Sequence, residues 1–188
     1  MNKIFSSKIV AVTATAGLAL GAFIGLAGPA SAATSGGTIA TFSITGGALS
    51  ITVPASTVAL ATGTVATGAA SASAQLGTVS VNDARAQLVN SWTTTVTSTS
   101  FTTGTAAPGE VVLATSIGYN SGLSTATSGL GAFVPSGALP SIGAGVTGAS
   151  WAGLAGNDTA SWNPTLTFTL APSQVAGLYS GTVTHSVA

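Results

Sequence analysis

The sequence predicts an all-β protein that folds as a single β-sandwich after removal of an N-terminal leader. Three observations favour this class. Short segments in which apolar and small polar residues alternate recur along the chain, and a period of two is typical of strands. Glycine, proline and asparagine residues that form turns separate these segments. Beyond the leader, no stretch sustains the period of a helix.

The first 32 residues have the three parts of a secretory signal peptide. Lys3 and Lys8 precede an apolar run over residues 9–26, and Ala30-Ser-Ala32 follows as a small-x-small cleavage site. The alternative is a transmembrane anchor, but the run is rich in glycine, alanine and threonine, and the cleavage site follows at once. We therefore expect a secreted protein whose mature domain covers residues 33–188.

The mature region would have almost no charge and no cysteine. One basic residue, Arg85, stands against the three acidic residues Asp83, Glu110 and Asp158, for a net charge of 1 − 3 = −2. One cation cannot neutralise a phosphate backbone or hold an anionic lipid surface, so neither nucleic acid nor membrane is expected as a partner. The lack of cysteine excludes disulfides and thiolate metal sites. Little charge opposes contact between copies, and such a surface favours self-association.

Seven segments carry the strand pattern. They are residues 39–44, 49–53, 76–81, 92–98, 111–117, 166–170 and 179–187. In the clearest, residues 166–170, large apolar side chains alternate with threonines. Asn82 and Asp83 are interpreted as a turn after the third segment. Residues 102–160 hold many glycines and are interpreted as long loops with two or three weak strands.

The approach to the last strand contains a device of sandwich folds. Gly177 precedes Tyr179 by two residues, an arrangement that resembles the tyrosine corner of immunoglobulin-like domains, in which the phenol bonds to upstream backbone. The alternative is an ordinary loop with a core tyrosine at the start of the strand. The motif favours an immunoglobulin-like form of the predicted sandwich.

Two motifs stand out in the mature region. The first reads Val81-Asn-Asp-Ala-Arg85, followed by Trp92, and the second consists of Trp162, Leu166, Phe168 and Leu170. They resemble the motifs of WxL-type surface domains of Gram-positive bacteria, and the second has the spacing of that family's distal motif. Phe168 replaces the family's second signature tryptophan and Thr94 replaces its first leucine, so neither literal tripeptide is present. The closing segment also resembles the terminal strand of secreted actinobacterial sandwich domains. The resemblance implies a β-sandwich at the cell wall that binds peptidoglycan non-covalently.

Aromatic side chains are the candidate wall-binding residues, because their faces stack on sugar rings. Trp92 and Trp162 adjoin strands, and the alternative interpretation places both in the core. Trp151 lies in the glycine-rich region and is expected to be exposed. Phe168 joins them through the resemblance.

Asp83 and Arg85 are close enough in sequence to form a local ion pair. The alternatives are a cation–π contact between Arg85 and Trp92, or a role for the pair in ligand binding.

The sequence does not predict an enzyme. The carboxylates are scattered, and both Glu110 and Asp158 lie in turn-like sequences rather than in a recognisable catalytic pair. His185 alternates with apolar residues and is interpreted as a partly buried structural side chain. A zinc site would need more histidines. Residues 143–148 match G-x-G-x-x-G, but no predicted helix follows them. We expect no cofactor and no metal.

The predicted function is non-catalytic binding at the cell surface. We expect an extracellular, cell-wall-associated protein whose partners are peptidoglycan or other surface proteins. One alternative is a structural subunit that self-assembles into a coat or fibre through its strand edges. Another is a freely secreted domain that needs a protein partner.

Overall fold

The computed structural model describes residues 36–54 and 65–188. Regular structure in these ranges consists of twelve strands and one short 3-10 helix, which confirms the predicted all-β class. The strands lie in one compact unit, Ser43–Ala188. No helix in the described ranges is long and apolar enough to cross a membrane.

The strands are numbered in chain order. They are β1 (Leu49–Thr52), β2 (Ser71–Gln75), β3 (Val79–Gln87), β4 (Trp92–Ser98), β5 (Phe101–Thr102), β6 (Val111–Val112), β7 (Ile117–Asn120), β8 (Ser124–Pro135), β9 (Ala138–Leu139), β10 (Val146–Trp162), β11 (Thr165–Thr169) and β12 (Val183–Val187). The 3-10 helix Ala114–Ser116 lies between β6 and β7.

The larger sheet is built around β10. β8 pairs with β10 along one side, whereas β3 and β4 pair with successive halves of its other side. All of these pairings are antiparallel, so β3 and β4 run in the same direction, end to end. β1 then pairs with β3, and β12 pairs with β4. The edges of this sheet are therefore β8 on one side and the row of β1 and β12 on the other.

The second sheet has the strand order β2-β11-β7-β9, and β5 and β6 form a separate short pair. One apolar cluster centres on the tryptophans of the larger sheet. A second cluster combines Val96 of β4 with Ile117 and Tyr119 of β7 and Leu166 of β11. Because it joins strands of both sheets, this second cluster lies where the sheets pack into a sandwich-like fold.

Three predicted strands are confirmed to within one residue, namely β1, β4 and β11. In β11, Leu166 is buried while Thr167 and Thr169 are exposed, as the alternation predicted. The tyrosine corner is also confirmed. Tyr179 Oη lies 2.9 Å from the carbonyl oxygen of Val175, four residues upstream, and 2.8 Å from that of Gly109.

Other strand predictions were wrong in their bounds. Residues 39–44 form no strand. Asn82 and Asp83 lie inside β3 rather than in a turn, because both pair with β1 and β10. The predicted strand over residues 111–117 is interrupted by the 3-10 helix, and the last strand begins at Val183 instead of Tyr179.

The interpretation of residues 102–160 as long loops was also wrong. This region contains β8 and most of β10, the two longest strands in the described ranges. Glycine, alanine, serine and threonine dominate both strands, so they show little alternation in hydrophobicity. β2, which reads Ser-Ala-Ser-Ala-Gln, was missed for the same reason. These strands form through their backbone pairing with neighbours that are distant in sequence.

Candidate functional site

The three tryptophans form one buried stack. The ring centroid of Trp92 lies 6.4 Å from that of Trp151 and 6.2 Å from that of Trp162, with interplanar angles of 12° and 18°. Their exposed fractions are 2%, 3% and 0% for Trp92, Trp151 and Trp162. The core interpretation of Trp92 and Trp162 is confirmed. None of the three presents a ring face to a sugar.

The expectation that Trp151 is exposed was wrong. Trp151 lies in β10, where its cross-strand partners are Trp92 of β4 on one side and Phe133 of β8 on the other. The unpredicted strands β8 and β10 therefore place this side chain inside the sheet's apolar cluster. Cβ atoms added at Gly131 or Gly153 would lie 2.7 and 2.8 Å from Trp151 Nε1, so these glycines make room for the indole.

The tryptophan stack continues into a polar chain. Trp162 Nε1 donates a hydrogen bond to Tyr119 Oη at 3.0 Å, and Tyr119 Oη lies 3.3 Å from His185 Nε2. Burial raises the pKa of Tyr119 to about 12 and lowers the pKa of His185 to about 4. A neutral His185 can accept a hydrogen bond from the Tyr119 hydroxyl. His185 is partly buried, as the sequence predicted.

Asp83 and Arg85 form the predicted ion pair, but the pair is not a surface feature. Arg85 Nη2 lies 2.6 Å from Asp83 Oδ2, and Arg85 Nε lies 2.9 Å from Asp83 Oδ1. The Asp83 side chain is fully buried, and that of Arg85 is 26% exposed. Hydrogen bonds from the guanidinium lower the pKa of Asp83 and raise that of Arg85. Arg85 Nη2 also donates to the carbonyl oxygen of Ser91 at 3.0 Å.

Asp158 lies directly opposite Asp83 in the pairing of β10 with β3. It accepts a hydrogen bond from Trp92 Nε1 at 2.8 Å and another from Asn90 Nδ2. Burial raises the pKa of Asp158, since no cation binds it directly. A register shift between Gly156 and Asp158 interrupts the ladder next to this side chain. Such bulges re-aim the side chains that follow them.

The carboxylates of Asp83 and Asp158 thus accept their hydrogen bonds from other side chains of the protein. Asn90 completes this cluster and was not identified from the sequence, since no pattern links it to Asp158 across 68 positions. Glu110 is separate and accepts from the backbone N–H groups of Thr105 and Ala107, at 2.9 and 2.8 Å. These backbone hydrogen bonds lower the pKa of Glu110. Across residues 36–54 and 65–188, no group of three or more acidic or histidine side chains is placed to hold a metal.

An open cleft of about 590 Å³ lies beside β2. Apolar side chains from several strands line it, among them Ala72, Phe101, Val112, Phe168 and Leu170. The rings of Phe101 and Phe168 meet edge to face, with centroids 5.1 Å apart. Of the six candidate residues Trp92, Trp151, Trp162, Phe168, Asp83 and Arg85, only Phe168 lines this cleft.

The cleft opens directly onto the second core cluster. Phe168, Leu170 and Tyr179 pack against that cluster but are only partly buried. At the rim, Leu178 and Val175 are 89% and 45% exposed. No charged side chain lines the cleft. Its chemistry therefore suits an apolar ligand or chain segment rather than an ion.

β8 presents an open strand edge. Within the described ranges it pairs only with β10, and its twelve residues carry no charge. Natural edge strands are commonly blocked by lysine, proline or a bulge. Here the pairing of β8 with β10 shifts register at three places, and the one proline is Pro135, the last residue of the strand.

Comparisons of the chain with protein-family models, with curated proteins and with solved structures found no match.

Proposed function

We propose that the protein is a non-catalytic, exported surface protein that functions by self-association into a coat or fibre. The observation that carries this proposal is the open apolar cleft beside β2, where none of the described residues covers the side chains that pack on the second core cluster. An uncovered apolar surface of this kind marks an interaction site in a soluble protein. The almost uncharged chain and the open edge of β8 support contact between copies.

Export is the part of the proposal that rests on the sequence. The leader over residues 1–32 lies outside the described ranges. Its basic start, apolar run and small-residue exit direct the chain to the cell surface or the medium. We expect N-terminal sequencing of the exported protein to begin at Ala33. Retention of the leader on the mature protein would contradict this part of the proposal.

The environment of the acidic groups supports a role without catalysis. Asp83 and Asp158 are buried and bound by Arg85, Trp92 and Asn90, so neither borders the cleft. A glycosidase needs two carboxylates that flank the substrate. We therefore place the protein's activity in association.

Binding of a wall polymer is the second candidate. Phe168 lines the cleft, and it occupies the position of a signature tryptophan in the WxL-type motif that the chain resembles. We propose that, if the protein holds peptidoglycan non-covalently, this cleft is the contact surface. The buried tryptophan stack supports the fold in either case.

Co-sedimentation separates the candidates. The full chain is expressed in a Gram-positive host, and the exported protein is spun with and without isolated peptidoglycan sacculi. Self-assembly predicts growth in size in both tubes, whereas wall binding predicts pelleting only with sacculi and a loss of pelleting in Phe168→Ala. Leu154→Ala, at a 68% exposed position outside the cleft lining, is the control. Protein that stays monomeric and soluble in both tubes contradicts both candidates and leaves a freely secreted domain.

A further inference from the structure

Residues 39–44 have the pattern of a strand but form none. Ala40, Phe42 and Ile44 alternate with Thr41 and Ser43, so extended residues 40–44 would present one apolar and one polar face, with Ile39 at the start of the polar face. Phe42 and Ile44 are 89% and 80% exposed. Large apolar side chains at such spacing favour a half-buried strand. The segment therefore has the composition of a sheet strand without a sheet to complete it.

The larger sheet has no strand partner for this segment upstream of β1. The chain joins β3 at Gly47, whose N–H donates to the carbonyl oxygen of Ala84. Beyond that point β12 occupies the same row, pairing with β4 from Ser98 to Thr94, and Ala188 continues the pairing with Thr93. Continuing the register of β1 with β3 would set residues 40–44 opposite residues 88–92, and residues 88–91 form no strand. The larger sheet therefore offers this segment no strand partner at that register.

β2 offers an edge that fits such a partner. β2 pairs only with β11 within the described ranges, so no described strand occupies its other side. It is five residues long, close to the six residues of the segment. The cleft beside it is apolar and uncharged, and it exposes Phe168 and Leu170 of the second core cluster.

We infer that residues 39–44 of one copy add as a strand to the β2 edge of a second copy. Ala40, Phe42 and Ile44 then enter the cleft, while Thr41 and Ser43 face solvent. Backbone pairing at an exposed edge supplies affinity in this mode of recognition, and the alternate side chains supply specificity. Repetition from copy to copy is head to tail, because donor and acceptor are different surfaces, and it gives an open fibre when the rotation between copies does not close a ring. The inference rests on the proposed self-association and names the surfaces that carry it.

Matched double substitutions test the donor segment. In the exported protein, Phe42→Asp with Ile44→Asp places two charges on the apolar face, and Thr41→Asp with Ser43→Asp places the same two charges on the polar face. We expect the first variant to weaken assembly by about 100-fold or more, because each large apolar side chain loses its burial. The second variant should assemble like the unmodified protein. Thermal unfolding of each monomer checks that both variants remain folded.

The outcomes separate the inference from the proposed function. If the unmodified protein assembles and both variants assemble equally well, the donor segment is wrong while self-association stands. If the unmodified protein remains monomeric over the whole concentration range, self-association itself is wrong, and the inference falls with it.

Cysteine cross-linking tests the acceptor, since the chain has no native cysteine. One population carries Phe42→Cys and the other carries Ala72→Cys, at a cleft position in β2. We expect mixed disulfide dimers under mild oxidation, and few when Leu154→Cys replaces Ala72→Cys. Equal yields from the two acceptors would overturn the inference. A single chain that carries both Phe42→Cys and Ala72→Cys supplies a second test. If this chain forms an internal disulfide as a monomer, the segment fills its own cleft and the inference is wrong.

Discussion

The carboxylate of Asp158 is buried and receives its hydrogen bonds from two neutral donors. Trp92 Nε1 and Asn90 Nδ2 bind it, whereas Asp83 is bound by the guanidinium of Arg85. The two acids therefore respond to pH in opposite directions. The lowered pKa of Asp83 gives stability that is lost as the pH falls through that pKa. The raised pKa of Asp158 means that ionisation destabilises the fold, so stability is lost as the pH rises through it.

We expect Asp158→Ala to destabilise the protein more than Asp158→Asn. Alanine leaves the Trp92 and Asn90 donors buried without an acceptor, at a cost of about 2–4 kcal/mol in the free energy of unfolding. Asparagine keeps an acceptor for Trp92, and, with the Asn90 amide turned over, its own Nδ2 can donate to Asn90 Oδ1, which has no partner among the described residues. We expect this change to cost about 1 kcal/mol or less. Urea unfolding at neutral pH measures both values, and equal losses would contradict the assignment.

His185 should make the fold sensitive to mild acid. Its pKa is lowered to about 4 by burial, so the unfolded chain binds a proton near its ordinary value of 6.5 while the folded chain does not. Stability should therefore fall between these two values as the pH decreases, by at most about 3 kcal/mol. His185→Gln keeps an acceptor for Tyr119 and removes the titration. Denaturant unfolding across this pH range should show a shallower slope for the variant, and an unchanged slope would contradict the role of His185.

Sequence reasoning at this scale succeeded for local contacts and failed for distant ones. The Asp83–Arg85 pair was predictable because residues two apart in a strand share a face. The cluster of Asn90, Trp92 and Asp158 depends on the pairing of β10 with β3 and β4, which the sequence did not predict.

The β8–β10 pair shows why strands made of small residues are hard to predict from sequence. β4 and β11 have a strong apolar pattern and were predicted, whereas β8 and β10 have little such pattern. In β10 the glycines mark places where backbones approach closely. A Cβ at Gly153 would overlap the carbonyl oxygen of Asn90. Because this oxygen belongs to the backbone, it cannot move aside as the end of a flexible side chain can. The same glycines that weaken the strand signal are thus needed for the packing of Trp151 and Asn90.

Gly153→Ala should therefore destabilise the larger sheet. We expect a loss of at least about 2 kcal/mol in the free energy of unfolding, because the clash forces a backbone shift beside the tryptophan stack. Leu154→Ala on the neighbouring, 68% exposed residue is the control and should change stability by less than about 0.5 kcal/mol. Guanidinium unfolding followed by tryptophan fluorescence compares the two. Equal stabilities for the two variants would contradict the close approach.

At the scale of the whole molecule, the low charge and the exposed apolar cleft both favour association between copies. The chain has three basic and three acidic residues in 188. Of the charged residues that the structure describes, Asp83 and Arg85 neutralise each other as a pair. Contacts between copies would therefore be apolar and backbone-mediated. The composition indicated this tendency, whereas the position of the cleft followed only from the packing of the two sheets.

Assembly should consequently be insensitive to salt. We expect the same size distribution at about 0.05 M and 0.5 M sodium chloride, because screening acts on charged contacts. Ammonium sulfate should strengthen assembly, since such salts favour apolar burial. Light scattering at fixed protein concentration measures both effects, and dissociation in sodium chloride would indicate an ionic interface instead.

Sedimentation velocity of the exported, unmodified protein tests the central claim most directly. The protein is measured without sacculi over about a hundredfold range of concentration, because association makes size depend on concentration. Our account predicts a monomer at the lowest concentration and a sedimentation coefficient that rises steadily, without a fixed end point, as expected for head-to-tail growth. A single monomeric species at every concentration would contradict it.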